Sequence, residues 1–168
     1  TLTVTDQNLC TKVDSFIVGA STQPVVVLDS AFNVTCFGQS TGRIYVHVNS
    51  ANGPINYLWS NASVSQNLLN IPLGNYTVTI TDSTGCQSSL SHTITEPTDI
   101  AVTLTPHNAT CAQSNGWISS AVTGGTSPYT YLWSNGASTS SITGLLPGNY
   151  TVTVTDAALC TKTASQNI

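Results

Sequence analysis

Leu146-Pro147-Gly148-Asn149-Tyr150-Thr151-Val152-Thr153-Val154-Thr155-Asp156, with Cys160 four residues further on, is the stretch that decides the fold. Tyr150, Val152 and Val154 alternate with Thr151, Thr153 and Thr155, and a period of two belongs to a strand with one apolar face. The Pro-Gly-Asn before it is turn chemistry. The same string stands at Pro72-Leu73-Gly74-Asn75-Tyr76-Thr77-Val78-Thr79-Ile80-Thr81-Asp82, followed by Cys86, and its later part opens the chain as Thr1-Leu2-Thr3-Val4-Thr5-Asp6, followed by Cys10.

Working outward, other anchors repeat at the same distance. Pro54-Ile55-Asn56-Tyr57-Leu58-Trp59-Ser60-Asn61 matches Pro128-Tyr129-Thr130-Tyr131-Leu132-Trp133-Ser134-Asn135, and Cys36 and Gly42 match Cys111 and Gly116. So steady a period, about 75 residues, marks a tandem array. The expected organisation is residues 1–23 as the last strands of a preceding repeat, 24–97 as one repeat and 98–168 as the next. Glu96-Pro97-Thr98-Asp99 forms the linker, where proline breaks strand pairing. Thr1 is not a methionine, and the chain reads as a piece of something longer.

Alternation continues elsewhere, as in Ile44, Val46 and Val48 against Arg43, Tyr45 and His47. Six or seven short strands per unit, separated by turn signals such as Asn52-Gly53-Pro54 and Gly124-Gly125, predict an all-β fold. The architecture expected is a series of immunoglobulin-like β-sandwich repeats. Trp59 and Trp133 sit where such a sandwich buries one large aromatic. Tyr76 and Tyr150 follow a sharp corner, as in the tyrosine corner of Greek-key sandwiches.

Composition excludes several functions. Only 6% of the 168 residues are charged and 40% are hydrophobic, while 48 are Ser or Thr. Hydroxyls thus replace charges on the surface, and threonine suits a pleated sheet. With three basic residues and a net charge of −4 there is no cluster to displace phosphate counterions, so nucleic acid is not an expected partner. No apolar run approaches the ~20 residues of a membrane span.

The string Gly-Asn-Tyr-Thr-Val-Thr-Val-Thr-Asp before a cysteine, with Pro-Tyr-x-Tyr-x-Trp-Ser-Asn-Gly upstream, resembles the SprB repeats of gliding-motility adhesins in Bacteroidetes. That resemblance implies an exported protein, extracellular or at the cell surface, delivered by type IX secretion.

Chemistry has few candidates. Catalysis needs converging titratable groups, yet Asp6, Asp82 and Asp156 are one repeat position and His47, His92 and His107 share none. No enzyme, cofactor or metal is expected. Asp82 and Asp156 read as caps of their own turns. A calcium site joining either with Glu96 and Asp99 is the weighed alternative. The equal separations of Cys36 from Cys86 and Cys111 from Cys160 predict one disulfide within each repeat, leaving Cys10 for a cysteine outside the chain. Trp117 alternates with inward Ile118 and is expected to face outward, where it would suit a glycan or a partner. Asp29-Ser30-Ala31 and Asp82-Ser83-Thr84 resemble a Bacteroidetes O-glycosylation motif, marking Ser30 and Ser83.

The functional expectation is a non-enzymatic extracellular adhesin or stalk whose partners are neighbouring repeats, copies of itself or surface glycans. A filament subunit joined by strand addition and a carbohydrate-binding module of a secreted enzyme are the alternatives. The two leading strands, Thr1 to Val18, are expected either to complete a sandwich supplied by a neighbouring copy or by upstream chain, or to pack on the following repeat.

Overall fold

A computed structural model describes residues 1–15, 22–111 and 113–168. Fourteen antiparallel strands and no helix are found among them. Thr1-to-Asp6 opens a hairpin of β1 (Leu2–Thr5) and β2 (Thr11–Asp14).

β3 (Val25–Phe32), β4 (Gly42–Asn49) and β6 (Leu68–Ile71) then form one sheet, in the order β3-β4-β6. β5 (Asn56–Trp59), β7 (Gly74–Thr81) and β8 (Gln87–Ile94) form the facing sheet, in the order β5-β7-β8. The pattern returns with β9 (Ala101–His107), β10 (Gly116–Thr123) and β12 (Ser141–Leu145) in one sheet. β11 (Thr130–Trp133), β13 (Asn149–Thr155) and β14 (Thr161–Asn167) form the other. Two six-stranded sandwiches with immunoglobulin-like sheet order result.

The period of two explains each core. On β7, Tyr76, Val78 and Ile80 are buried and meet Ile44, Val46, Trp59 and Ile94. On β13, Val152 and Val154 meet Ile118, Trp133 and Ile142. Each fully buried aliphatic or aromatic side chain contributes about 1.5–3 kcal/mol. The intervening threonines face outward and bond across the strands: Thr77 Oγ1 lies 2.8 Å from Ser91 Oγ, and Thr151 Oγ1 2.8 Å from Ser165 Oγ.

Two anchors recognised from the sequence hold the core. Trp59 and Trp133 are each 2% exposed, and their indole N–H groups donate to the carbonyls of Ser65 (2.8 Å) and Thr139 (2.9 Å). Tyr76 Oη donates to the Pro72 carbonyl at 3.0 Å and Tyr150 Oη to that of Leu146 at 3.1 Å, the tyrosine corner in both repeats. Gly42 and Gly116 are needed for space: a Cβ on Gly116 would stand 2.8 Å from Ile168 Cγ2 and 3.0 Å from the Leu145 carbonyl.

The repeats differ by one residue where β3 bulges between Leu28 and Ser30. β9 pairs with β10 without a break, so β3 has eight residues and β9 seven. The displaced Asp29 lies over β4, with Oδ1 2.5 Å from His47 Nδ1.

Candidate functional site

The turn after the decisive strand is built three times. Asp156 N donates to the Cys160 carbonyl at 3.0 Å, and Asp156 Oδ1 accepts from Ala158 N and Cys160 N at 2.9 Å. Asp82 does the same for Thr84 N (2.9 Å) and Cys86 N (3.0 Å), and Asp6 for Asn8 N (2.8 Å) and Cys10 N (2.9 Å). The residue before each cysteine has positive φ, at Leu9, Gly85 and Leu159.

Asp82 and Asp156 are buried, and each carries an additional bond across its sandwich. Asp156 Oδ2 accepts from Thr126 N at 2.9 Å, and Asp82 Oδ2 from Asn52 N at 3.4 Å. The Thr84 hydroxyl, at 2.7 Å, is the main cause holding the Asp82 carboxyl below its ordinary pKa. Burial pushes Asp156 upward, but the three backbone N–H donors outweigh it and its pKa is also lowered.

These turns place the cysteines, and here the predicted pairing is overturned. Cys36 bonds to Cys160, with a Cα–Cα distance of 5.6 Å, so neither Cys36–Cys86 nor Cys111–Cys160 forms. The reason is strand length. Cys36 lies in the loop between β3 and β4, held beside the end of β8 by Val34 N donating to the Thr95 carbonyl at 3.0 Å. Cys86 precedes the start of β8, and that eight-residue strand separates the two by ~25 Å. A disulfide bridges only about 4.4–6.8 Å between Cα atoms.

The bridge therefore joins the exit end of one repeat to the entry end of the next. Around it the linker is pinned to both sides. Glu96 Oε2 accepts from Gly38 N at 2.7 Å, Lys162 Nζ lies 2.6 Å from Asp99 Oδ2, and Gly125 N donates to the Thr98 carbonyl at 2.9 Å. A cavity of about 170 Å³ opens here, lined by Cys36, Phe37, Pro97, Asp99, Asp156 and Leu159 among others. Glu96 Oε2, Asp99 Oδ2 and both carboxylate oxygens of Asp156 are thus engaged with protein donors. Among the described residues, no three His, Cys, Asp or Glu side chains gather to hold a metal ion.

The remaining candidates lie apart. Trp117 on β10 is 37% exposed, and its ring stacks on His107 of β9 with centroids 5.6 Å apart and 9° between planes. Ser30 is half-buried in β3 beside the bulge. Ser83 is exposed in the β7–β8 turn, and its hydroxyl donates to the Asn52 carbonyl at 2.5 Å. The expected alternative that Leu2 and Val4 pack on the following repeat does not hold: both are 59% exposed. The end of that leading segment, residues 16–18, lies outside the described residues.

A tandem array of six-stranded sandwiches, capped by identical Asp turns and bridged between consecutive units, defines an immunoglobulin-like repeat protein. The model of the SprB repeat family matches the chain twice, over residues 29–64 and 103–138, so this chain carries two SprB-type repeats. Each match starts on the first strand of a sandwich and ends just past its tryptophan strand. Repeats of this type point to a cell-surface, gliding-motility-related repeat protein. No curated protein matches the chain.

Proposed function

We propose that this chain is a load-bearing segment of a non-enzymatic extracellular stalk or adhesin, in which tandem sandwiches set reach and resist extension. The observation that carries this reading is the Cys36–Cys160 bridge. Tension entering at residue 1 passes through the backbone to Cys36, crosses the disulfide to Cys160 and leaves by β14. The 124-residue loop between the bridged cysteines, which holds the inner strands of both sandwiches, is shielded from the load, while β3 with Val26 and β14 with Ala164 lie on the load path. A low content of charge and a hydroxyl-rich surface suit a spacer that must not bind indiscriminately.

Single-molecule pulling tests this directly. Without reductant, only residues outside the bridged loop extend. Adding dithiothreitol releases roughly 400 Å of further contour at ~3.4 Å per residue. Equal extension with and without reductant rules the shielding out, and labelling of the chain only after cell lysis rules out a surface location.

One observation favours the filament reading as the second. Leu2 and Val4 occupy the repeat positions of Val152 and Val154, which are fully buried, yet their face of the β1–β2 hairpin is uncovered. A strand-adding copy would cover it, as would earlier strands of the same repeat lying upstream.

A further inference from the structure

Phe32 ends β3, Arg43 stands near the start of β4, and the two are cross-strand partners. Ile44 is fully buried, so its neighbour Arg43 faces outward, with Phe32 beside it. The Phe32 ring is 56% exposed and meets Tyr45 edge-on, with centroids 6.3 Å apart and 89° between planes. Together with Asn33, Thr35 and Thr41, the pair lines an open groove of about 390 Å³. The groove lies at the end of repeat one where repeat two begins. Repeat two, held there by the Cys36–Cys160 bridge, leaves the Phe32 ring uncovered.

The chemistry of the groove is one-sided. Arg43 is the only arginine of the chain, and it makes no ion pair or hydrogen bond with any described residue. Asp29, which lies over the same strand, is taken by His47. No Asp or Glu lines the groove. Its acceptors are used by the protein: Asn33 Oδ1 accepts from Thr95 N at 3.0 Å, and Thr41 Oγ1 from Thr35 N at 2.9 Å. The hydroxyl oxygens of Thr35 and Thr41 lie 3.0 Å apart, so one donates to the other and one O–H is left over. What remains is a guanidinium, a hydroxyl donor and the Asn33 amide N–H groups around an exposed ring. Such a set fits a ligand that accepts hydrogen bonds and carries negative charge.

We propose that this groove binds an acidic saccharide, a pyranose ring bearing a carboxylate, such as the hexuronate of an extracellular polysaccharide. The carboxylate pairs with the Arg43 guanidinium, whose planar fork matches it. The C–H face of the sugar, made electropositive by its oxygens, lies on the electron-rich face of Phe32. A chain of net charge −4 repels polyanions in general, so an acidic sugar needs an unpaired cation to hold it. A rigid sugar also loses less freedom on binding than an acidic peptide, whose carboxylates ride on flexible side chains.

Repeat two departs from this arrangement. At the same positions His107 and Trp117 stack on each other, and neither lysine nor arginine stands there. The inference goes beyond the stalk reading and holds whether or not the bridge carries load.

The test titrates the isotope-labelled full chain with a galacturonate tetramer and follows the backbone amide chemical shifts. Saturable shifts are expected at residues 32–43. The methyl-esterified tetramer keeps the ring and loses the charge, and it should bind about tenfold more weakly. Arg43→Gln should weaken binding of the acid by about the same factor, the loss of a charge-assisted hydrogen bond. Phe32→Ala should weaken it as well, while Trp117→Ala, in repeat two, should leave it unchanged. Phe32 and Arg43 are both exposed, and an unaltered near-ultraviolet signal from Trp59 and Trp133 shows that each variant is folded. A tetraglutamate peptide represents the competing occupant. Peptide binding as tight as that of the saccharide, equal affinity for the acid and its methyl ester, or no shifts at residues 32–43 each overturns the proposal.

Discussion

Cys36 and Cys160 stand 5.6 Å apart at Cα although 124 positions separate them in the chain, and each belongs to a different sandwich. Neither hydrophobic core contains Cys36, and Cys160 only borders the second. The bridge is a joint between folded units, and that distinction governs what its removal does.

Cys160→Ser should leave both sandwiches folded, with an unchanged near-ultraviolet signal from Trp59 and Trp133. Unfolding free energy summed over both repeats should fall by about 3–5 kcal/mol, the chain-entropy value for a loop of this length. Denaturant titration monitored by tryptophan fluorescence measures both. Loss of the near-ultraviolet signal at zero denaturant would mean the bridge holds the cores.

The three tryptophans should divide sharply. Trp133→Ala removes a ring that is 2% exposed and leaves Val152 and Ile118 facing a void, at a cost of about 3–5 kcal/mol. Trp117→Ala removes a partly exposed ring stacked on His107 and should cost under ~1 kcal/mol. Iodide quenching of the native protein should reach Trp117 alone.

Tyr150→Phe deletes a single 3.1 Å bond to the Leu146 carbonyl and keeps the ring. Its expected cost is about 1 kcal/mol, and Tyr76→Phe should behave alike in the first repeat. A pair of shifts near zero in thermal melts would show that the corner is held by ring packing.

Gly116→Ala places a methyl 2.8 Å from Ile168 Cγ2 and 3.0 Å from a carbonyl that cannot rotate away. Overpacking of this kind costs about 1–3 kcal/mol. Gly136→Ala, where nothing stands within 4 Å of the new Cβ but φ is +85°, isolates the cost of backbone conformation from that of crowding.

Asp82 and Asp156 both have folded-state pKa values below the ordinary carboxylate range. Each therefore favours the fold as an anion. That contribution is complete above the unfolded-chain value near pH 4 and is lost as pH falls through the lower folded value. The denaturation midpoint should be flat from about pH 7 to 5 and drop below ~4. Asp82→Asn and Asp156→Asn should flatten that acid limb, and a midpoint that rises on acidification would contradict the assignment.

Much of this was legible before any coordinates. The alternation of Tyr76, Val78 and Ile80 with threonines predicted which side chains are buried, because successive residues of a strand face opposite sides. Pro72-Leu73-Gly74-Asn75 predicted a corner, and the hydroxyl of Tyr76 closes it. Asp82 and Asp156 were read correctly as turn caps, since an Asp reaches the N–H two residues on by itself. Their bonds to Asn52 and Thr126 were not foreseen, because those partners lie 30 residues away in the chain. The stacking of His107 under Trp117 was hidden for the same reason: it depends on the register of β9 against β10.

The disulfide marks the boundary most clearly. Local pattern settled the repeat length, the strands and the buried aromatics, because each depends on residues within a few positions of one another. Which cysteine meets which depends on the end of the sandwich that each loop occupies. β5 and β6 run toward the same end on facing sheets, β5 away from Thr81 and β6 toward Gly42. The chain therefore reverses one time fewer than its strand count implies, and Cys36 and Cys86 fall at opposite ends. Equal spacing of 50 and 49 residues along the chain carries no information about that. Only the three-dimensional path sets the distance, and it brings Cys36 to Cys160.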